Sequence, residues 1–426
     1  MSKKIRVGVF GGARGHTMIN VLFDHPDAEL VAVCDKYTPL LDRVKKEAND
    51  HGISVATFEN FEDFFNYDMD AVVLANYANE HAPYACRLLR SGRHVMSEVL
   101  PSETMAQAVE LIEAVEESGK VYTYAENYCY MNSTFDMWRR YLRGDIGEVM
   151  YAEGEYIHDC TSIWPGITYG ERDHWRNRLH ANFYNTHSLG PIMMITGKKP
   201  VSVVGFELPV KKRHGEVGHW HGAGVEMVTV DNGAVFKSVH GCLVREPGSF
   251  LTRVFGQKGS MESSPAFFWP DGKTPNIPNQ HVWIEGEKLC RGEWDHYFPT
   301  QEIEKDFAEK FNGHGGADFY ATHFFIEKIL GNPEADKWAI DVYRAVDMGS
   351  CGILAYKSAL AGSVPVRVPD LRDKAQRDEY RNDNACTNPA VAGDQLFPPS
   401  IFDYPPIPDE VYEKVRQTWL AGKNAE

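Results

Sequence analysis

Short, continuous apolar runs alternate with segments of helical periodicity through the first 120 residues, and this alternation limits the possible folds more than any other feature. The apolar runs lie at residues 5–10, 29–34, 71–75 and 94–97. The segments between them repeat apolar residues every three or four positions, as at Met105, Val109 and Ile112. Strands that are apolar on both faces and alternate with amphipathic helices are typical of a parallel, doubly wound sheet. The sequence therefore predicts an α/β Rossmann domain over residues 1–122.

After residue 122 the pattern changes to alternating polar and apolar positions. Segments of this kind occupy residues 149–157, 201–208, 227–230, 234–239 and 252–255. Alternation marks strands with one buried face, so the prediction for residues 123–365 is an α+β domain with a large, mostly antiparallel sheet. Residues 366–426 are rich in Pro, Asp and Asn, and we expect an extended arm that ends in a short helix at 409–420.

Composition argues against several classes of partner. The formal net charge of −16 disfavours a surface for nucleic acid or for an anionic membrane, because both require basic side chains. No apolar stretch reaches the roughly 20 residues of a membrane-spanning helix. The eight cysteines include no CxxC pair, which favours reduced thiols over a disulfide framework. We therefore expect a cytoplasmic protein with neither a nucleic-acid nor a membrane partner.

The first apolar run ends in a glycine-rich turn. The turn consists of Gly11, Gly12, Ala13, Arg14, Gly15 and His16. Backbone N–H groups in such a turn can approach a pyrophosphate at the start of a helix. The turn departs from GxGxxG, because Ala13 and His16 occupy two of the glycine positions. Asp35 ends the second run, where an acid can bind the ribose hydroxyls and favours NAD over NADP. A purely structural turn without a nucleotide is the alternative.

Polar side chains also follow the third and fourth runs. Asn76, Asn79 and His81 come after the run at 71–75, and Glu98 ends the run at 94–97. Open α/β sheets bind ligands at the carboxyl ends of their strands, so all four side chains are candidate cofactor ligands. Capping of the following helix is the alternative, particularly for Asn79.

Several segments resemble a known family. GVFGGARG, DAVVLANYANEHAPYACRLLRSGRHVMSEVLP and YLRGDIGEVMYAEGEY are similar to the glucose–fructose oxidoreductase / inositol dehydrogenase (Gfo/Idh/MocA) family, and the similarity covers nearly the whole chain except its tail. The resemblance implies NAD as cofactor. It also implies a homo-oligomer, a dimer or a tetramer, because the large sheets of this family commonly pair between subunits. Most members carry a lysine after the strand-ending Glu that deprotonates the sugar hydroxyl, whereas Val99 occupies that position here.

A narrower branch, the NAD-dependent α-N-acetylgalactosaminidases, has Glu-Val-Pro at this strand end and is similar in further blocks. These are AENYCY at 125–130, AEGEYIHD at 152–159, HWR at 174–176, FYNTHSLGP at 183–191 and GHGG at 313–316. The branch has Tyr-Pro-Thr-His where this chain reads Tyr-Asn-Thr-His. By this resemblance, the active-site positions fall on Glu126, Tyr156, Arg176, Tyr184 and His187.

The resemblance implies a glycosidase that works through transient oxidation. NAD⁺ takes hydride from C3 of the sugar, the ketone acidifies the C2 proton, the C1 substituent is eliminated, water adds, and NADH reduces C3 again. Tyr184 and His187 are then the candidates for proton transfer at C3 and C2 in place of the missing lysine, and Tyr156 is the candidate at the leaving group. The alternatives are a helix-capping His187 packed under Tyr184, and a Tyr156 at the edge of the core.

Four further polar side chains are candidate substrate ligands. They are Glu126, His158, Arg176 and His314. Arg176 could hold a hydroxyl or an N-acyl oxygen, and the glycines around His314 allow a close approach to a ligand. A surface salt bridge for Arg176 and a mobile loop around His314 are the alternatives. Asn127 and Trp175, which lie beside these positions in the chain, are assigned to the cofactor.

A group of histidines resembles a metal site only superficially. His214, His219 and His221 invite a zinc interpretation, but no cysteine or carboxylate stands at a matching spacing, so we expect no metal. The basic run at 211–213 would suit an acidic substituent of the substrate and could equally be solvated.

The predicted function is therefore an NAD-dependent glycosidase acting on a small-molecule glycoside. One alternative is an NAD-dependent glycoside 3-dehydrogenase that releases the oxidised sugar. A second alternative is a nucleotide-binding sensor or scaffold on the same fold that binds NAD without turning over any glycoside.

Overall fold

The computed structural model describes residues 4–209, 216–218, 222–245, 248–263, 266–267, 280–287, 295–311 and 313–423. The chain forms two compact units, each assembled from three segments. The first unit comprises Met1–Met131, Gln301–Val346 and Leu371–Asn382. The second unit comprises Asn132–Thr300, Asp347–Asp370 and Asp383–Glu426.

The first unit contains a six-stranded parallel sheet in the order β3-β2-β1-β4-β5-β6. Its strands are β1 (Ile5–Phe10), β2 (Ala28–Cys34), β3 (Ala56–Phe58), β4 (Ala71–Leu74), β5 (His94–Ser97) and β6 (Tyr122–Tyr124). Every residue of β4 is buried, as expected for a central strand covered on both faces. The predicted doubly wound α/β domain is confirmed.

The helices of the first unit come from all three of its segments. They are His16–Asp24, Thr38–Asp50, Phe61–Phe65, His81–Arg90, Met105–Ser118, Lys305–Ala308, Ala317–Ile329, Ala335–Trp338 and Lys374–Tyr380, with 3₁₀ turns at Ala78–Glu80, Asn127–Tyr130 and Gly313–Gly316. Residues 301–346 and 371–382 thus lie here, whereas the sequence suggested a second domain and an arm. Long-range contacts explain the difference: Tyr124 N donates to Ile340 O (2.9 Å), and the buried Arg377 pairs with Glu116 (2.5 Å).

The second unit contains a ten-stranded sheet in the order β15-β14-β12-β11-β7-β10-β9-β8-β16, with β13 paired to β11. The strands are β7 (Val149–Ile157), β8 (Pro200–Leu208), β9 (Ala223–Val230), β10 (Val235–Gly241), β11 (Ser249–Gly256), β12 (Gly259–Ser263), β13 (Ala266–Phe267), β14 (Gln280–Ile284), β15 (Asp295–Tyr297) and β16 (Val366–Arg367). β7 and β10 pair in parallel, and the other pairs are antiparallel. The prediction of a mostly antiparallel sheet is confirmed.

One face of this sheet packs against the helix Thr186–Thr196. Ala152 of β7, Val228 of β9 and Phe236 of β10 are buried on that face. The other helices of the second unit are Asn132–Arg143, Trp164–Ile167, Pro389–Ala392 and Asp409–Lys423, with 3₁₀ turns at Trp175–Asn177, Ala181–Tyr184 and Gly393–Gln395. The helix Val342–Leu360 contains the boundary between the two units, after Val346.

The last segment of the chain packs against other parts of the second unit. Ser400 Oγ and Ile401 N donate hydrogen bonds to Glu207 (2.5 and 2.7 Å), and Tyr356 OH donates to Pro398 O (2.6 Å). The terminal helix runs to Lys423, beyond the predicted end at 420. Within the described ranges, none of the helices combines the length and apolar character needed to cross a membrane.

Candidate active site

The glycine turn at the end of β1 packs directly on the end of β4. Gly11 has a φ of 102°, which favours glycine, and its N–H donates to Cys34 O (2.8 Å). A Cβ at Gly11 would lie 2.3 Å from the carbonyl carbon of Ala75, so no other residue fits there without a shift of the backbone. The turn then leads into the helix His16–Asp24, as the sequence predicted for a dinucleotide site.

Asp35 lies beside this turn, at the end of β2. Its Oδ2 accepts a hydrogen bond from Gly12 N (2.7 Å), and its Oδ1 accepts one from Tyr37 N (2.8 Å). Each carboxylate oxygen can accept a further hydrogen bond, so the group fixes the turn and still has acceptor capacity for ribose hydroxyls. The arrangement fits the predicted role, which stays a prediction.

Several buried polar atoms at the ends of the parallel strands have no hydrogen-bond partner among the described residues. They are Asn76 Oδ1, Asn79 Oδ1, His81 Nε2 and Asn127 Oδ1. Burial lowers the pKa of His81 to about 4, against the effect of backbone hydrogen bonds, so its imidazole is neutral at physiological pH. Buried polar atoms are normally satisfied, so these atoms fit a polar ligand such as a dinucleotide at this edge of the sheet.

Arg14 of the glycine turn belongs to a buried charge cluster. Its guanidinium donates to Glu98 Oε1 (2.5 Å) and to both oxygens of Asp318 (2.8 and 3.1 Å). His314 Nδ1 lies 2.9 Å from Asp318 Oδ2. Burial opposes ionisation of both partners, but the two carboxylates raise the pKa of Arg14, and Arg14 and His314 lower the pKa of Asp318. The ion pair of Arg14 with Asp318 is therefore favoured, and the cluster links three separate segments of the first unit.

Three of the predicted ligands belong to this cluster. The sequence assigned Arg14 and Glu98 to the cofactor and His314 to the substrate, and the structure places all three around Asp318 in the first unit. Sequence reasoning missed Asp318. The available signal was its position four residues after His314, at the start of a helix, where side chains of i and i+4 meet.

Aromatic and imidazole side chains come together in the second unit. The rings of Tyr156 and His187 have centroids 4.7 Å apart, and those of Tyr184 and His187 are 5.0 Å apart and nearly perpendicular. Tyr156 OH lies 3.1 Å from His158 Nδ1, within hydrogen-bonding distance. The structure thus brings together the three predicted catalytic residues and His158. The reason is that the helix Thr186–Thr196 packs against the face of the sheet on which Tyr156 of β7 lies.

Arg176 extends this group. Its guanidinium lies 4.3 Å from the ring centroid of Trp175 and 5.5 Å from that of Tyr184. Burial lowers the pKa of Arg176, but the effects of Tyr184, which also hydrogen-bonds to it, and of Cys160 outweigh burial. The pKa of Arg176 is therefore raised. A half-buried guanidinium beside two aromatic rings is suited to bind an oxygen of a sugar or of its N-acyl group. Trp175 was assigned to the cofactor and lies here against Arg176, in the second unit.

Glu126 belongs to the first unit instead. It is fully buried after β6, and its Oε1 accepts a hydrogen bond from Tyr128 N (3.2 Å). The structure describes no residue of 211–215 or 219–221, so the basic run and the three histidines weighed as a metal site lie outside the described residues. Among the described residues, no three His, Cys, Asp or Glu side chains are grouped so that they could hold a metal ion.

Two family models match the chain. Residues 5–126 match the model of the oxidoreductase family with an NAD-binding Rossmann fold, and residues 212–376 match the C-terminal domain of glycosyl hydrolase 109. A glycosyl hydrolase family 109 protein of Saccharopolyspora erythraea is 26% identical over 396 residues, which cover 86% of this chain and 83% of the relative. Family 109 protein 2 of Akkermansia muciniphila is 26% identical over 400 residues, with the same two coverages.

Solved structures share the fold. Levoglucosan dehydrogenase in complex with NADH and levoglucosan has a TM-score of 0.67 at 16% identity, over 86% of this chain and 100% of the other. Scyllo-inositol dehydrogenase from Lactobacillus casei, with NAD(H) and scyllo-inositol, has a TM-score of 0.64 at 19% identity, over 87% and 100%. The resemblance inferred from motifs is therefore confirmed, and the first sheet forms an NAD-binding Rossmann domain.

Proposed function

We propose that this chain, a Gfo/Idh/MocA-type enzyme nearest to the glycosyl hydrolase 109 branch, is an NAD-dependent glycosidase that cleaves a small-molecule glycoside through transient oxidation at C3. The observation that carries the proposal is the contact of His187 with Tyr156 and Tyr184 beside the half-buried Arg176. The curated relatives named glycosyl hydrolases span most of the chain and support hydrolysis over net oxidation.

The first unit is suited to hold the cofactor. In the first unit, the glycine turn and Asp35 would hold the dinucleotide, and the unpartnered amide oxygens of Asn76 and Asn79 can accept hydrogen bonds from it. When bound, NAD⁺ accepts hydride from C3 of the sugar and later returns it, so that the sugar undergoes no net redox change.

The second unit supplies proton transfer and orientation. Tyr184 and His187 take the protons of the C3 hydroxyl and of C2, since an imidazole accepts and returns protons near neutral pH. Tyr156, held 3.1 Å from His158, gives a proton to the departing group at C1. Arg176 pairs with an oxygen of the sugar and fixes its orientation. Val99 follows the strand-ending Glu98, so that position offers no lysine, and we assign the proton transfers to Tyr156, Tyr184 and His187.

A glycoside 3-dehydrogenase is the second candidate, because solved structures of the same fold include named dehydrogenases. The two functions differ in what happens to the hydride. A glycosidase consumes no NAD⁺, whereas a dehydrogenase accumulates one NADH for each glycoside oxidised.

A panel of chromogenic glycosides, with and without added NAD⁺, tests the proposal. We expect aglycone release that requires NAD⁺ in catalytic amounts, and deuterium from D₂O at C2 of the released sugar, because C2 loses and regains its proton. NADH formed in proportion to the substrate would contradict hydrolysis and establish the dehydrogenase. NAD binding without turnover of any glycoside would leave the sensor or scaffold.

We also propose that the protein is a homo-oligomer, a dimer or a tetramer, in the cytoplasm. The face of the second sheet that points away from the helix Thr186–Thr196 carries apolar side chains on adjacent strands. Val225 and Met227 of β9 are half-buried there, and Phe206 of β8, opposite Val225, is 41% exposed. None of the seven cysteines that the structure describes is joined in a disulfide, which is compatible with a reducing compartment.

Phe206→Glu combined with Met227→Lys is expected to shift the protein to smaller assemblies in light scattering coupled to size-exclusion chromatography. Burying two charges against a partner sheet is costly, while exposing them to water is not. The matched control is Leu142→Glu, since Leu142 is 64% exposed on the helix Asn132–Arg143. An unchanged molar mass for the double variant, or a monomeric wild type, would refute this interface.

A further inference from the structure

Asn185 lies between Tyr184 and His187, where the resembling glycosidases have proline. It is fully buried, and its Nδ2 donates to Glu226 Oε2 (2.9 Å) and to Met348 O (3.1 Å). The backbone carbonyl oxygen of Asn185 accepts hydrogen bonds from the backbone N–H groups of residues 188 and 189, at the start of the helix Thr186–Thr196. One amide side chain therefore ties the segment with the candidate catalytic residues to β9 and to the helix Val342–Leu360.

Glu226 places a carboxyl group at a position of β9 where the alternation pattern calls for an apolar side chain. It lies at a buried position of β9 between Gly224 and Val228, all three on the face that packs against the helix Thr186–Thr196. Burial raises the pKa of Glu226 to about 8, and only the hydrogen bond from Asn185 opposes this shift. The carboxyl group is therefore neutral at pH 7. Its Oε2 accepts the amide hydrogen, so Oε1 carries the proton in this arrangement.

Other buried titratable groups lie on the elements packed around β9 and the turn Ala181–Tyr184. They are His240 on β10, Glu207 on β8, His180 and His187 around the turn Ala181–Tyr184, and Asp347 and Cys351 on the helix Val342–Leu360. His240 Nε2 is nearest, 3.9 Å from Glu226 Oε1, and burial lowers the pKa of His240 to about 3, with a smaller effect from the neighbouring histidines. The carboxyl group of Glu226 and the imidazole of His240 are thus both neutral. His240 therefore supplies no counter-charge for an ionised Glu226.

A side chain of the turn Ala181–Tyr184 comes close to the backbone of β9 at this point. A Cβ at Gly224 would lie 1.7 Å from Asn182 Oδ1, so the amide of Asn182 can occupy this position only beside a glycine. On the next strand, Ser238 Oγ lies 2.7 Å from Ser188 Oγ of the helix that carries His187. Hydrogen bonds and close contacts from the strands therefore determine the position of the segment 180–188.

We propose that Glu226 and Asn185 are positioning residues that hold Tyr184 and His187 in place. The inference rests on the proposed function of Tyr184 and His187. Two hydrogen bonds from one buried amide, to Glu226 of β9 and to Met348 of the helix Val342–Leu360, restrict the backbone between these two side chains. Ionisation of Glu226 would leave a buried carboxylate without a counter-charge, and the segment would shift to relieve it.

The test compares Glu226→Gln, Glu226→Ala and Asn185→Ala in glycoside turnover with saturating NAD⁺ across the neutral and alkaline range. Glutamine reproduces the neutral carboxyl group, so we expect a kcat within about twofold of wild type at neutral pH. We expect the two alanine variants to lose about tenfold to a hundredfold in kcat, because small misplacements of catalytic groups are costly.

Wild type should lose kcat as the pH rises through about 8, and Glu226→Gln should not. Glu153→Gln, on the opposite face of β7, is the matched control and should follow wild type.

Two outcomes would overturn the inference: wild-type kcat in either alanine variant, or the same alkaline loss in Glu226→Gln as in wild type. If wild type itself turns over no glycoside, the proposed function fails instead, and hydrogen–deuterium exchange of residues 180–190 then decides the positioning role. Faster exchange there in both alanine variants, with wild-type exchange in Glu226→Gln, supports it. Unchanged exchange in the alanine variants contradicts it.

Discussion

His187→Ala is expected to lower the kcat for glycoside cleavage about a thousandfold, since general acid–base groups typically contribute a factor of about 10² to 10⁴. His187 lies between the rings of Tyr156 and Tyr184, and proton transfer at C2 has no lysine to replace it because Val99 occupies that position. The affinity for NAD should remain at the wild-type value, because the glycine turn and Asp35 belong to the first unit. Steady-state kinetics and a fluorescence titration with NADH measure the two quantities.

A second variant separates chemistry from packing. Tyr184→Phe keeps the ring against His187 and removes only the hydroxyl group, so a comparable loss of kcat with an unchanged melting temperature indicates proton transfer. The matched control is Tyr151→Phe, which removes a hydroxyl group from the opposite face of β7, where it donates to Glu153 (2.8 Å). A near-wild-type kcat in His187→Ala, or continued uptake of deuterium at C2, would remove His187 from the mechanism.

Four of the six strands of the parallel sheet, β1, β2, β4 and β5, could be predicted because they are short, continuous apolar runs, which burial on both faces explains. The short strands β3 and β6 are not continuous apolar runs and were missed. The end of the domain could not be predicted. The helix Ala317–Ile329 follows the antiparallel strands in the chain, and its pattern does not say which sheet it covers. Its place in the first unit depends on long-range contacts such as the pair of Asp318 with Arg14, which are invisible to local periodicity.

The residues of the candidate site were also only partly predictable from the sequence. Tyr156, Tyr184, His187 and Arg176 could be selected from motif resemblance and alternation along β7, and the structure brings them together. Glu226 was missed although its signal was present, since it is an acid at a position of β9 where the alternation requires an apolar side chain. Its partner 41 residues earlier, Asn185, was visible only as a departure from a family motif, because a hydrogen bond between distant residues has no local signature.

Arg14→Met is expected to lower the free energy of unfolding by about 3–5 kcal/mol, the usual cost of removing one partner from a buried ion pair. Methionine leaves Glu98 and Asp318, which are 6% and 1% exposed, without the guanidinium between them. Because the cluster joins the glycine turn to β5, we also expect NAD to bind about tenfold more weakly, with urea unfolding and calorimetric titration as the measurements. Arg90→Met is the matched control: Arg90 also lies between two carboxylates, those of Glu110 and Glu117, but is exposed and should cost under about 1 kcal/mol.

Acidification distinguishes a lost ion pair from a simple packing defect in Arg14→Met. In wild type, burial works against ionisation but the pairing with Arg14 and His314 lowers the pKa of Asp318 below its ordinary value of 3.8. A carboxyl group with a lowered folded-state pKa stabilises the protein above its unfolded-state pKa, and this contribution is lost as the pH falls from about 4 through the folded-state value. In Arg14→Met the same carboxyl groups are buried without the guanidinium, so their pKa values rise and protonation relieves them as the pH falls. The difference in unfolding free energy between wild type and Arg14→Met should therefore narrow from neutral pH towards about pH 4 and below, and a difference that is independent of pH would show that Arg14 acts only through its volume.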